Sequence, residues 1–339
     1  ISMVGIISLA LIVLVVLTSL LHAPQKTARG IVLAPPGNQL SLSVINGRAY
    51  ASLPDGTVSA LRVSDGSLLW HHKGGNAGIA STAIANGMVY VASLTETGGA
   101  FQLIVNALRP DSGTLLWTRA FPVDYTISIQ LTVLDKVVYV NTGDDGIAAL
   151  RASDGLLLWQ YTSPVPFNPM PYVAGGVVYM GTQDARIYAL RASDGFLLWK
   201  YTSLVPPSSA LPVVANSSIY INLEGGSMDA LRTNDGSLLW HDTLSSFLTE
   251  SSPGVEDGAL YVSALDGTVY ALRASDGSLL WHASVQVSTV LPAMNVAGNV
   301  VYVATQDGGV DALRASDGSL LWHYRDENGN AVSTTVANG

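Results

Sequence analysis

Beyond residue 39 the apolar residues fall in short runs, each closed by a turn signal. The clearest stretch is Val255 to Trp281, VEDGALYVSALDGTVYALRASDGSLLW. It divides into Ala259 to Ala264, a turn at Asp266-Gly267, Thr268 to Ala274, a turn at Asp276-Gly277, and Ser278 to Ser284. Apolar segments of this length between Asp-Gly pairs predict antiparallel strands. Glycine accepts a positive φ without steric cost, and the Asp side chain can bond the backbone of the turn. A further strand is expected ahead of each unit, at Leu40 to Asn46, Ala80 to Asn86, Ser128 to Leu134, Pro169 to Ala174, Ala210 to Asn216, Ser251 to Glu256, Leu291 to Ala297 and Ala331 to Asn338.

Each unit ends in tryptophan, at positions 70, 117, 159, 199, 240, 281 and 322, which accounts for all seven tryptophans of the chain. Four antiparallel strands at a period near forty residues make one blade of a β-propeller, in an all-β fold. Eight first strands but seven tryptophan-ended units are visible, because Ala331 to Gly339 (AVSTTVANG) repeats Ile79 to Gly87 (IASTAIANG). The expectation is seven complete repeats and a partial eighth. A large ring at the same place in every blade is expected to wedge between neighbouring blades as a packing girdle.

Ahead of the repeats, Met3 to Leu21 carries no charge and is long enough, as a helix, to reach across most of a bilayer. The sequence reading is therefore a hydrophobic helix over 1–23, a linker over 24–38 and a propeller over 39–339. The helix is expected to be a membrane anchor. A cleaved signal ending near Leu21-His22-Ala23 is one alternative. The core of a filament is another, as in pilin-type subunits, although Gly5 stands where bacterial pilins commonly carry Glu.

The repeat resembles the pyrroloquinoline quinone repeat, with an approximate pattern of Ala-Leu-Asp-Ala-x-Thr-Gly-x-x-x-Trp. Ala271-Leu272-Arg273-Ala274-Ser275-Asp276-Gly277 occupies it here, with Arg in place of Asp and Asp in place of Thr. The resemblance covers residues 40–339. It implies the propeller fold, which serves both quinone-dependent dehydrogenases and cofactor-free scaffolds. The dehydrogenases carry a vicinal cysteine pair and calcium-coordinating carboxylates around the quinone, whereas this chain has no cysteine.

A net charge of -9 argues against nucleic-acid partners, since phosphate binding needs clustered basic side chains. Arg62, Arg109, Arg151, Arg191, Arg232, Arg273 and Arg314 share one blade position. Seven copies imply a local role, either pairing with the turn Asp or stacking on a tryptophan. His71, His241, His282 and His323 each follow a blade tryptophan, but equivalent positions in neighbouring blades are too far apart to share one zinc ion. Asn141 to Gly146, NTGDDG, lacks the Glu that would complete a calcium loop and reads as a turn. No catalytic, cofactor or metal residues are assigned, and no cofactor is expected.

What varies between blades is the enlarged segment Thr95 to Asn106 and the connections between blades. Candidate interaction residues there are Phe101, Phe121, Tyr125, Pro166, Phe167, Pro206, Pro207 and Phe247. The functional expectation is a non-enzymatic, membrane-anchored propeller outside the cytoplasm or at the cell surface. It would bind a protein, a polysaccharide or copies of itself. Alternatives are a filament or array subunit and, last, a quinone-dependent dehydrogenase.

Overall fold

A computed structural model describes residues 41–53, 55–77, 80–123, 131–143, 146–163, 171–182, 184–208, 212–244, 246, 248–249, 252–285, 294–305 and 309–325. The N-terminal apolar run, the linker and Ala331 to Gly339 lie outside them. Two compact units divide the chain, 1–171 and 172–339. Sheets 1 to 3 (41–73, 80–123 and 131–162) belong to the first, and sheets 4 to 7 (172–202, 213–243, 254–284 and 294–325) to the second.

Every sheet has four strands hydrogen-bonded in sequence order, each antiparallel to the one before. No α-helix occurs among the described residues. Sheet 6 follows the sequence reading closely, with strands at Gly254–Glu256, Ala259–Ser263, Thr268–Arg273 and Leu279–Ser284. The second and third strands are nearly continuous apolar runs and form the core, as in Leu260, Val262, Val269 and Leu272. The fourth strand alternates, burying Trp240 while His241 faces out in sheet 5.

Each fourth strand also carries a bulge at one fixed place. Ala230 faces Trp240 and Leu231 faces Leu238, so Leu239 is skipped. The same shift recurs in the other six sheets. The fourth strand is the sheet's edge, and a bulge there interrupts the row of open backbone groups that could pair with another chain.

Tryptophan joins sheet to sheet, as expected. The indole N–H of Trp70 donates to the Pro110 carbonyl of sheet 2 at 3.0 Å, and that of Trp117 to Ala152 of sheet 3 at 3.0 Å. In the second unit Trp199, Trp240 and Trp281 donate in the same way to Thr233, Ala274 and Ala315, at 2.8, 3.0 and 2.8 Å. A tyrosine from the second strand leans on each ring, and beside Trp70, Trp117, Trp240 and Trp281 it shares the acceptor, as when the Tyr220 hydroxyl donates to Ala274 at 3.1 Å. The indole face rests on the glycine of the next sheet's turn. A Cβ on Gly277, at φ +76°, would come within 2.9 Å of the Trp240 ring. In sheet 1, which has no preceding sheet among the described residues, a Cβ on Gly66 would meet nothing within 4 Å. Five of the rings are 7–8% exposed, whereas Trp322 of sheet 7 is 47% exposed.

Five of the seven repeated arginines pair with a turn aspartate, one of the two local roles expected of them. Arg62–Asp65, Arg151–Asp154, Arg191–Asp194, Arg273–Asp276 and Arg314–Asp317 are ion pairs, while Arg232 reaches the Ser237 hydroxyl. All are well exposed, and such pairs add little stability. The aspartates also accept the backbone N–H two residues on, joined by the hydroxyl where that residue is Ser67, Ser278 or Ser319. For Asp65 these bonds from Ser67, with a smaller contribution from Arg62, hold the carboxyl down at about 2. Asp235, Asp276 and Asp317 are lowered by the equivalent serines first and by their arginines after them.

Two predictions follow from this packing. Trp240→Ala is expected to cost about 3–5 kcal/mol, as for other buried rings, and Trp322→Ala about 1 kcal/mol or less. Denaturant melts of both variants decide it, and equal costs would show that exposure is a poor guide to the girdle. The carboxyls are lowered in the folded chain, so their contribution is complete above the unfolded value near 4 and is lost as pH falls through the folded one. The melting temperature should therefore decline between about pH 4 and about pH 2, and less steeply in Asp276→Asn. An identical acid profile in that variant would remove the turn carboxylates as the cause.

Candidate functional site

In four consecutive antiparallel strands, the turn between the second and third lies at the same end as the chain leaving the fourth. Backbone bonds tie the two together. Gly74 N–H donates to Gly56, Ser203 to Ala185, Leu244 to Gly226 and Val285 to Gly267, all at 2.6–3.0 Å. Connections then reach the next sheet. Asn76 holds Glu96 with both its amide groups, at 2.8 and 3.0 Å. Pro207 bridges Leu223, and Leu248 bridges Ala264. Connections and second-to-third turns therefore share one end in each sheet so joined, and the near-identical Asp-Gly turns occupy the other.

At the variable end, the enlarged segment of sheet 2 is a regular hairpin rather than a loop. Strands Met88–Thr97 and Ala100–Leu108 are paired throughout and joined at Gly98-Gly99, whose φ values of +63° and +83° suit glycine. The hairpin lengthens the following strand to Leu115–Val123. Phe121 consequently lies in a strand and not in a connection. It faces Leu103 across the ladder, is 6% exposed, and has the Arg119 guanidinium 5.8 Å from its ring centre. It is a core residue, and this corrects its assignment as an interaction residue. Phe101, opposite Val123, is half-buried near the hairpin tip.

In the second unit, Leu204 is 82% exposed at the start of the connection after sheet 4. Pro206 is partly exposed behind it, while Pro207 is buried against the next sheet. Tyr125, Pro166, Phe167 and Phe247 lie outside the described residues. Among the candidates, Phe101 in the first unit and Pro206 in the second keep accessible surface at the variable end.

A second group of side chains escaped sequence reasoning. Asp229, 1% exposed on the third strand of sheet 5, accepts from Ser203 Oγ at 2.9 Å and pairs with His241 Nδ1 at 2.7 Å. Burial first, then the charge of Asp229 and a bond to it, push the Tyr201 phenol upward. His241 Nε2 lies 3.4 Å from Thr243 Oγ1, which is 3.1 Å from Ser227 Oγ. Asp311 and His323 repeat the pair at 2.6 Å in sheet 7, with Arg325 where Thr243 stands. The legible signal was register, because Asp229 faces His241 and Asp311 faces His323 across one ladder.

A carboxylate, an imidazole and a hydroxyl in line resemble a nucleophile relay. The final contact is long, and the hydroxyl is engaged by Ser227. The carboxylate spends its other oxygen on Ser203, in the connection leaving sheet 4. The arrangement fastens sheet 4 to sheet 5.

Comparison with known proteins places the repeat. The sequence profile of the PQQ-repeat family described as outer membrane protein assembly factor BamB matches residues 54–207, 101–252 and 245–338. The chain belongs to that family. No curated protein matches it by sequence. Among solved structures, BamB from Moraxella catarrhalis is 20% identical, with a TM-score of 0.64 over 92% of this chain and 94% of that one. The computationally designed Ika8 protein is 18% identical, with a TM-score of 0.65 over 88% and 90%. A quinohemoprotein alcohol dehydrogenase from Pseudomonas putida HK5 is 14% identical, with a TM-score of 0.59 over 91% of this chain and 69% of the enzyme. At these identities the likeness concerns the fold, which is a β-propeller of four-stranded blades.

The buried pair generates a prediction. Asp229→Ala strands His241 and Ser203 without their acceptor and is expected to cost about 2–3 kcal/mol. Thr243→Ala should change stability by about 0.5 kcal/mol or less. Melts of the two variants separate a fastening role from a relay, since a relay would leave Asp229→Ala folded as firmly as the parent.

Proposed function

We propose that this chain is a non-enzymatic interaction scaffold outside the cytoplasm, held at a membrane by Met3 to Leu21, whose partner is a protein that meets the variable end of the blades. The carrying observation is the division of each blade into two unlike ends. The Asp-Gly end is nearly the same from sheet to sheet and spends its polar groups on itself. The other end carries the projecting sheet 2 hairpin and the highly exposed Leu204. A rigid repeat scaffold places recognition on the segments that vary, and apolar side chains presented there supply the anchors that dominate most interfaces.

Family membership supports the scaffold reading, because the matching profile bears the name of an assembly factor. Length does so as well. The chain corresponds to nearly all of the Moraxella BamB structure but to 69–70% of the two quinohemoprotein dehydrogenases. Quinone chemistry would also need a substitute for the cysteine pair that the resemblance implies and this sequence lacks.

Photo-crosslinking in the producing cell tests the proposal. A crosslinking residue at Phe101 or Leu204 should give adducts of discrete mass with another protein, and one at Ser275 in an Asp-Gly turn should give none. Adducts at Ser275 alone would overturn the assignment of the binding end. Adducts at twice the chain's own mass would favour self-assembly instead.

A further inference from the structure

We propose that Asn216 is the attachment point of an N-linked glycan. Asn216-Ser217-Ser218 is the only Asn-x-Ser or Asn-x-Thr triplet in the chain, and its middle residue is not proline. This is the acceptor pattern for asparagine glycosylation in proteins that leave the cytoplasm, so the inference rests on the placement proposed above. The triplet spans the turn between the first two strands of sheet 5, Val213–Ala215 and Ser218–Asn222. Asn216 and Ser217 are exposed at its tip.

Three departures from the repeat build this turn. Asn216 and Ser217 both lie in the left-handed region, at φ +49° and +63°. Glycine stands in the place of Ser217 in sheets 1, 2, 4 and 6, as Gly47, Gly87, Gly176 and Gly258. Serine there adopts a backbone conformation that only glycine and, less readily, asparagine and aspartate visit routinely. Asparagine also leads the turn in sheets 1 and 2, but Arg48 and Met88 follow where Ser218 stands. Sheets 3, 4, 6 and 7 carry Val137, Val177, Ala259 and Val300 there, so sheet 5 alone puts a hydroxyl two residues after an asparagine. The third departure is an extra hold on the strained residue. The Ser217 carbonyl accepts from both Thr233 N–H at 3.0 Å and Thr233 Oγ1 at 3.1 Å. In sheets 1, 3, 4, 6 and 7 the equivalent carbonyl accepts the N–H of Val63 or of an alanine, which have no hydroxyl to add.

Burial orders the events. Ser218, whose hydroxyl completes the acceptor pattern, is 9% exposed and paired with Arg232 across the ladder. Transfer therefore precedes closure of this hairpin, during export, and the finished glycan stands outside the folded sheet. In the transfer, Asn216 Nδ2 bonds the anomeric carbon of a sugar carried on a lipid phosphate. The bond from that carbon to the phosphate oxygen breaks, the lipid phosphate leaves with the electron pair, and the amide proton passes to a base of the transferase. The Thr233 bonds place the glycan at the Asp-Gly end, where Leu238 and Leu279 are 46% and 53% exposed. A bulky hydrophilic chain there screens apolar side chains and leaves the variable end open to a partner.

Mass spectrometry of the full chain from its producing cell tests this on the peptide Tyr201 to Arg232, which trypsin releases with this single acceptor. The peptide should carry a series of sugar masses. Asn216→Asp keeps a residue that tolerates the left-handed turn and should lose them, as should Ser218→Ala. Ser218→Thr and Ser217→Gly preserve the pattern and should keep them. A bare peptide in the parent chain, or sugar that survives either removal, overturns the proposal. The chain has no cysteine, so Ser275→Cys, at an exposed position, reports on placement separately. If a membrane-impermeant maleimide labels that variant in intact cells while Asn216 is bare, the glycan alone is struck. If the variant reacts only after lysis, the glycan and the placement fall together.

Discussion

One contact governs this architecture, the indole of a fourth-strand tryptophan lying on a left-handed glycine in the next sheet while its N–H reaches the carbonyl beside that turn. It fixes three things together. The glycine must be glycine, both because its φ is positive and because a Cβ would enter the ring, as at Gly113 beneath Trp70 and Gly318 beneath Trp281. The carbonyl must stay free for two donors, tyrosine and tryptophan, while the turn closes on other groups, as when Gly277 N–H donates to Arg273 and Arg273 N–H to Ser278. The tryptophan must point inward from an edge strand, and the bulge at the preceding leucine accompanies that turn of the strand. Asp-Gly, Arg, Tyr, Leu-Leu and Trp recur as a set because each serves this junction.

That shared dependence explains what could be read from the sequence. Features repeated seven times announce themselves by spacing, so the strands, the turns and the tryptophan girdle were legible without coordinates. Features that occur once were not. Phe121 was assigned to a connection because sheet 2 was expected to end where its sisters end. The hairpin at Met88–Leu108 supplies a partner strand long enough to carry the ladder on to Val123. Burial there depends on a neighbouring insertion and on nothing local to Phe121.

Asp229 and His241 were missed for a different reason. The histidines that follow four of the tryptophans share a blade position, and from blade to blade they are too distant to cooperate. Their partners lie in the same sheet, across one ladder, and change from blade to blade: Asp229 for His241, Asp311 for His323, Tyr270 for His282. A cross-strand pair has no signature in linear spacing until the register is known. The Asp-Gly turns fix where each ladder begins, and the bulge at the leucine before the tryptophan shifts it by one residue, so the pairing follows from the two together.

The girdle also bears on function by separating the two ends of every blade. Because the glycine, the carbonyl and the Asp–Arg turn all belong to the junction, the Asp-Gly end cannot vary without loosening two sheets at once. The other end is under no such constraint. Its connections are pinned by backbone bonds, such as Ser203 to Ala185 and Leu244 to Gly226, that accept almost any side chain. A hairpin can therefore grow out of sheet 2, or a leucine stand clear after sheet 4, without disturbing the packing beneath. Recognition is cheapest to change where the scaffold is held largely by main chain, and that is the end at which this chain carries its irregular residues.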